Sequence, residues 1–106
     1  IAQRKPANLI HVVINNAAHE TVGGMPVCEG GLCAAKVASA VGYPRVLNAR
    51  DEATLETALQ EAKGANQLTM LEVACAVGAR AEGGRRTTTP SQNRDALMAF
   101  LREEKA

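Results

Sequence analysis

The stretch "NLIHVVINN", residues 8–16, decides the fold class. Its apolar residues run without alternation and several are β-branched, which is typical of a strand buried on both faces of a parallel sheet. Asn15 and Asn16 end the run abruptly, and the glycine-rich residues 15–31 show no hydrophobic period. A buried strand followed by a long loop is therefore predicted, with His11 inside the strand as a hydrogen-bonded structural residue.

Helical and strand patterns alternate through the rest of the chain. Asp51 is a predicted helix cap, and Thr89 and Gln92 have the spacing of a capping box around Pro90. The order β-loop-α-β-α-β-loop-α predicts an α/β fold, a parallel sheet with flanking helices. The predicted elements are a helix at 32–41, a strand at 44–49, a helix from Asp51 to Gly64, a strand at 68–77, a loop at 78–88, and a last helix whose core face is Leu97, Phe100 and Leu101.

Composition excludes several classes of function. A net charge of +1 and only two aromatic residues argue against a nucleic-acid surface. The longest apolar stretch, residues 9–14, is too short to span a bilayer. Three cysteines suit neither a disulfide framework nor common zinc spacing, and Cys75 is assigned to packing in its strand, so a cytoplasmic protein is expected. The chain begins with Ile1 rather than methionine, so we expect a piece of a longer protein.

Both long loops leave the carboxyl ends of predicted strands, where ligands bind in parallel sheets. The amide oxygens of Asn15 and Asn16 suit magnesium or calcium, but the same residues suit an Asx turn that ends a strand. Spacing alone favours the turn.

Other residues of the two loops also have two interpretations. His19 could act as an acid, a base or a ligand, or could be a solvated loop residue. Gly23 and Gly24 could bring N–H groups to an anion or permit a tight turn. An anion-binding cluster or a solvated basic loop would each account for Arg80, Arg85 and Arg86.

Two segments resemble the thiamine-diphosphate-dependent decarboxylases, most closely the members that act on phosphonopyruvate and next those that act on sulfopyruvate. The segments are "NLIHVVINNAAHETVGGMP", residues 8–26, and "GRRTTTPSQNRDALMAFL", residues 84–101. The resemblance covers nearly the whole chain, and it implies that residues 1–106 form the carboxyl-terminal part of a diphosphate-binding domain.

This resemblance also implies site residues. Magnesium would be held by the Asn16 side chain and the Ala18 main-chain carbonyl, and His19 and Glu20 would lie at the reacting centre. The thiamine diphosphate would be bound by Asn16, Ala18, His19, Thr21, Gly23 and Gly24. The implied reaction is decarboxylation of a 2-oxo acid, phosphonopyruvate to phosphonoacetaldehyde, with the cofactor as electron sink.

The chain departs from the family pattern at informative positions. It contains no Gly-Asp-Gly, which supplies the carboxylate ligand of magnesium, and the usual "GGQPT" reads "GGMPV" at residues 23–27. The usual "DLGRPT" before the tail also reads "EGGRRT".

Because the carboxylate ligand is missing, we expect no activity from the chain alone. The resemblance implies as partners a pyrimidine-binding domain or subunit and further copies in a homo-oligomer. The alternatives are a sulfopyruvate decarboxylase-type subunit, a non-catalytic α/β interaction module and, with least support, a small anion binder.

Overall fold

The structure, a computed structural model, describes residues 1–28 and 31–103. Residues 29 and 30 of the predicted loop lie outside the described part. The helices and strands alternate largely as predicted. In chain order the elements are β1 (Ile10–Asn15), β2 (Ala18–His19), a 3-10 turn (Glu20–Val22), β3 (Met25–Pro26), α1 (Ala34–Ala40), β4 (Arg45–Ala49), α2 (Glu52–Gly64), β5 (Thr69–Ala74) and α3 (Pro90–Glu103).

Three parallel strands form the main sheet in the order β1-β5-β4. The chain crosses from β1 to β4 through α1 and returns to β5 through α2. Because crossovers between parallel strands are right-handed, these opposite directions place α1 and α2 on opposite faces. The side-chain contacts of β5 agree with this. Leu71 belongs to a buried cluster with Ala58 of α2, whereas the Glu72 carboxylate accepts hydrogen bonds from the first two N–H groups of α1. The predicted α/β fold is confirmed.

The core lies between α2 and the sheet. Ala49, Ala58, Leu71 and Val73 form its buried cluster, and the partly buried residues packed against it are Leu47, Leu55 and Leu59. Leu55, Ala58 and Leu59 of α2 face the core together, because i, i+3 and i+4 residues share one side of a helix. Small residues, Ala35 and Ala38 in α1 and Ala58 and Ala62 in α2, are the fully buried positions of the two helices.

The predicted helix ends are also confirmed. The Asp51 carboxylate accepts from the Thr54 N–H at 2.8 Å, and the Thr54 side chain completes a capping box. At the start of α3, Gln92 N–H donates to the Thr89 hydroxyl at 3.2 Å while Thr89 N–H donates to the Gln92 side chain at 2.8 Å. These contacts satisfy N–H groups that have no partner inside a helix.

β1 differs from the prediction, because it is an edge strand rather than a strand buried on both faces. Val12 is 43% exposed and Ile14 is 66% exposed. β1 pairs with β5 alone, and α1 and α2 lie over β4 and β5. The strand that is buried on both faces is β5, where Thr69 to Val73 are all buried.

The predicted core face of the last helix is wrong for the described structure. Leu97, Phe100 and Leu101 are exposed, and α3 has no buried residue. The predicted strand at 68–77 also ends earlier, at Ala74, so that Cys75 is exposed rather than packed. The radius of gyration is 16.7 Å, against about 13 Å for a compact domain of this length. The chain therefore leaves apolar surface on α3 without an intramolecular partner among the described residues.

Candidate functional site

The two long loops leave the same edge of the sheet, as predicted. β1 ends at Asn15 and β5 ends at Ala74, and the two residues are directly paired. Because the strands are parallel, their carboxyl ends lie side by side and the segments that follow begin as neighbours. The candidate site is built from these two segments, at the position where ligands bind in parallel α/β sheets.

Asn15 is fully engaged in holding this edge together. Its Nδ2 donates to Glu72 Oε1 at 2.7 Å and to the Leu32 carbonyl at 2.9 Å. Its Oδ1 accepts from the Ala17 N–H at 2.9 Å, which is an Asx turn. Asn15 is therefore the structural member of the asparagine pair, since both of its donor hydrogens are used inside the protein.

Glu72 is the buried charge beneath the site, and only 7% of it is exposed. Besides Asn15, it accepts from the N–H groups of Ala34 at 3.0 Å and Ala35 at 2.8 Å, and from Cys33 Sγ at 3.5 Å. Burial raises the pKa of this carboxyl, but the hydrogen bonds from Ala35, Asn15, Ala34 and Cys33 together lower the pKa below its ordinary value. Glu72 thus fastens the start of α1 to the edge of the sheet as a carboxylate.

Glu72 belongs to none of the motifs described above, but the sequence contains a signal for it. Glu72 is the one charged residue in the apolar run "LTMLEVACAV", residues 68–77. A charge in a buried strand must find hydrogen-bond partners, because an unpaired buried carboxylate is strongly disfavoured. The run therefore indicates a bonded carboxylate, although its partners lie 37 and 38 residues away in sequence.

Asn16 makes the second Asx turn. Its Oδ1 accepts from the Ala18 N–H at 3.1 Å, and its Nδ2 donates to Glu20 Oε2 at 2.5 Å. The turn interpretation of the asparagine pair is confirmed for both residues. An amide oxygen has two lone pairs, so this turn leaves Asn16 Oδ1 one lone pair with which to bind a cation.

The Ala18 carbonyl is a second oxygen beside Asn16, and no residue in the described part of the chain donates a hydrogen bond to it. β2 and β3 form a short antiparallel hairpin in which the Val27 N–H donates to the Ala17 carbonyl at 3.0 Å. Hydrogen-bonded and non-bonded pairs alternate in antiparallel strands, so Ala18 directs its N–H and C=O away from β3. That is the side on which Asn16 Oδ1 meets the Ala18 N–H. These two neutral oxygens are the kind of ligand that magnesium prefers, so they fit the implied metal.

The hairpin turn accounts for the glycine pair. Gly23 has φ +97° and Gly24 has φ +73°, a backbone conformation that strongly favours glycine. The Gly24 N–H donates to the His19 carbonyl at 3.0 Å. The predicted loop without regular structure therefore contains a short hairpin with strands of two residues each, and the tight-turn interpretation of the glycines is confirmed. His19 and Thr21 are exposed on this hairpin.

Glu20 joins the two loops. Its Oε1 accepts from the Gly78 N–H at 2.8 Å, while Oε2 accepts from Asn16. Gly78 opens the segment that carries Arg80, Arg85 and Arg86, all three of which are exposed. The structure therefore brings Asn16, Ala18 and Glu20 together. Arg80, Arg85 and Arg86 lie apart from this group, on the exposed segment that follows Gly78.

A cleft of about 320 Å³ lies beside this group at the same edge. Its lining residues come from the ends of all three main strands and from the start of α1: Asn15, Leu32, Cys33, Asn48, Ala49, Arg50, Glu72 and Ala74. A volume of this size is at the small end for ligand pockets. Within the described residues, no group of three or more His, Cys, Asp or Glu side chains is arranged to hold a metal ion. Nor is any described helix both long and apolar enough to cross a membrane.

Two curated proteins are similar in sequence to this chain. No family model matches the chain, and no solved structure matches it. The phosphonopyruvate decarboxylase of Streptomyces viridochromogenes is 28% identical over 101 residues, which are 95% of this chain and 25% of that protein. The phosphonopyruvate decarboxylase of Streptomyces hygroscopicus is 28% identical over 103 residues, 97% of this chain and 26% of that protein.

The chain thus spans about a quarter of the length of the curated relatives it matches. Nearly all of its residues take part in each match. The motifs around Asn16 and Thr89 indicate the same relationship. The resemblance is confirmed: this chain is similar, from end to end, to part of the phosphonopyruvate decarboxylases.

Proposed function

We propose that this chain is the carboxyl-terminal part of the diphosphate-binding domain of a decarboxylase that acts on a 2-oxo acid with thiamine diphosphate and magnesium. The observation that carries the proposal is a pair of oxygens at the carboxyl edge of a parallel sheet: Asn16 Oδ1, which keeps one lone pair, and the Ala18 carbonyl, to which no described residue donates a hydrogen bond. The similarity to two phosphonopyruvate decarboxylases supports the reaction class, and their names make phosphonopyruvate the first substrate to test.

In this proposal the residues of the hairpin and its turn bind the metal and the cofactor. Asn16 and Ala18 hold the magnesium through hard, neutral oxygens, which need a carboxylate and diphosphate oxygens to complete the coordination. Gly23 and Gly24 let the backbone approach the cofactor closely. His19 and Thr21 stand exposed beside it, where His19 can hold or release a proton at its ring nitrogens. When bound, the cofactor supplies an electron sink for the carbanion left after loss of carbon dioxide.

The proposal includes partner surfaces. Val12 and Ile14 lie exposed on the open edge strand β1, and α3 carries exposed Leu97 and Phe100. Unpaired strand edges and contiguous apolar surface favour association with other chains. We assign these surfaces to contacts with a pyrimidine-binding domain or subunit and with further copies in a homo-oligomer. A cytoplasmic location is part of the same proposal, and the three free cysteines support it.

An assay of carbon dioxide release tests the function. The proposed full-length protein, which would also carry the Gly-Asp-Gly segment, is supplied with thiamine diphosphate, magnesium and a pyrimidine-binding domain or subunit, and phosphonopyruvate and sulfopyruvate are compared in parallel. We expect cofactor-dependent release from phosphonopyruvate, and none from the 106-residue chain by itself. Release from sulfopyruvate alone would move the proposal to that substrate, and release from neither would overturn it.

A non-catalytic α/β interaction module is the second candidate. Met25 and Val27 stand where the family has an amide and a hydroxyl, and Met25 is exposed on β3. Together with the exposed apolar residues of β1 and α3, this favours a surface for binding proteins. Stable association with other subunits in a protein that binds no thiamine diphosphate would favour the module over the enzyme.

A further inference from the structure

We propose that Glu20 is a positioning residue that couples the two loops of the site: it orients the Asn16 amide and fastens the segment after β5. Its importance for metal binding rests on the proposed function, but the coupling itself does not. Both carboxylate oxygens are engaged, Oε2 with Asn16 Nδ2 at 2.5 Å and Oε1 with the Gly78 N–H at 2.8 Å.

The first consequence concerns the direction of the Asn16 oxygen. An amide group can rotate to exchange its oxygen and its NH2 group, and a neighbouring charge decides between the two orientations. A carboxylate accepts hydrogen bonds and cannot donate them, so Glu20 holds the NH2 group of Asn16. The oxygen is thereby directed to the Ala18 N–H at 3.1 Å, on the side of the free Ala18 carbonyl. Glu20 therefore presents both oxygens of the proposed metal site together.

The second consequence concerns the segment after β5. Gly78 is 58 residues from Glu20 in sequence and has φ +125°, which strains any residue that has a side chain. Glycine at this position lets the backbone N–H turn toward the carboxylate. Arg80 follows two residues later, so the arginine-bearing segment begins from the contact with Glu20. One carboxylate thus links the proposed metal ligand to the basic residues that would meet an anionic substrate.

Two substitutions separate these roles. Glu20→Ala removes both contacts. Glu20→Gln keeps an oxygen for the Gly78 N–H, but its own NH2 group faces that of Asn16, so the Asn16 amide must rotate to make a hydrogen bond. The glutamine variant is therefore expected to preserve the Gly78 contact and to turn the Asn16 oxygen away from Ala18. Glu56→Ala, at an exposed position on α2, is the matched control.

Amide NMR spectra of the 106-residue chain test the coupling without any cofactor. Glu20→Ala should shift the Asn16 side-chain amide and the Gly78 backbone amide, and should accelerate hydrogen exchange at Gly78. Glu20→Gln should shift the Asn16 signals and leave the Gly78 amide protected from exchange, and Glu56→Ala should change neither. An unchanged Gly78 signal in Glu20→Ala would overturn the proposed coupling.

Titration of the proposed full-length protein with magnesium and inorganic diphosphate tests the positioning of Asn16. Both Glu20 variants should bind the pair about tenfold more weakly than the wild-type protein, as for other residues that orient metal ligands. Unchanged affinity in Glu20→Gln would show that Asn16 is not oriented by Glu20. Absence of binding by the wild-type full-length protein would count against the proposed function, while the amide signals would still decide the coupling.

Discussion

Replacing Glu72 by alanine should be among the most damaging single changes in this chain. The substitution leaves four donors without their acceptor: the N–H groups of Ala34 and Ala35, the Asn15 amide and the Cys33 thiol. Hydrogen bonds to a charged group contribute about 1.5–3 kcal/mol each, and removal of the carboxylate also removes its desolvation cost. The net loss in free energy of unfolding is about 3–5 kcal/mol, out of a total of about 5–15 kcal/mol for a typical domain.

Urea unfolding followed by far-ultraviolet circular dichroism measures this loss, since the chain has no tryptophan. Glu56→Ala is the control, because Glu56 is exposed on α2 and its substitution should change the free energy of unfolding by less than about 0.5 kcal/mol. Glu72→Gln should lie between the two, because it keeps one oxygen as an acceptor. A Glu72→Ala variant as stable as the control would refute the argument that this carboxylate holds the edge of the sheet.

The pH dependence gives a second measure of the same contact. The pKa of Glu72 is lower in the folded chain than its ordinary value of 4.5, so the folded state binds its proton less readily than the unfolded state. Its contribution to stability is therefore complete above pH 4.5 and is lost as pH falls through the lower, folded-state pKa. The stability of the wild-type chain should fall over that range, and Glu72→Gln should remove this part of the fall. An identical acid dependence in both proteins would contradict the pKa assignment.

Three further predictions concern the core, the edge and the open surface. Leu71→Ala should lower the free energy of unfolding by about 2–5 kcal/mol, because Leu71 is fully buried. Leu97→Ala, on exposed α3, should change it by less than about 0.5 kcal/mol. Equal effects of the two substitutions would contradict the burial pattern. Tyr43→Phe removes a hydroxyl that lies 3.0 Å from His11 Nδ1. It should lower the free energy of unfolding by about 0.5–1.5 kcal/mol, measured by the same unfolding assay. Ile14→Lys should reduce self-association in size-exclusion chromatography with light scattering, because it places a charge on the exposed edge strand, and an unchanged mass would exclude β1 from the contact.

Local patterns predicted the elements and their ends well, because the physics that forms them is local. The helix cap at Asp51 and the capping box at Thr89 involve residues within one helical turn of each other. For the same reason, spacing alone favoured an Asx turn at the asparagine pair, whereas the ligand role of Asn16 came only from the family resemblance. Each of these contacts could be read from residue type and spacing alone.

Long-range pairing decided what the sequence could not. The apolar runs of β1 and β5 look alike, and only the order β1-β5-β4 makes one an edge strand and the other the buried centre. The face of Leu97 and Phe100 predicts an amphipathic helix but not what covers it. Likewise the contacts from Glu20 to Gly78 and from Glu72 to Ala35 join residues 58 and 37 positions apart, so their existence depends on the assembled sheet.

Calorimetric binding of thiamine diphosphate in the presence of magnesium, measured on the proposed full-length protein, tests the central claim most directly. The wild-type protein and Asn8→Ala, an exposed asparagine just before β1 at the opposite edge of the sheet, should bind alike. Asn16→Ala should bind at least about tenfold more weakly, and omission of magnesium should have a similar effect. Equal affinity of Asn16→Ala and wild type, or binding that ignores magnesium, would contradict the assignment of this edge as the metal and diphosphate site.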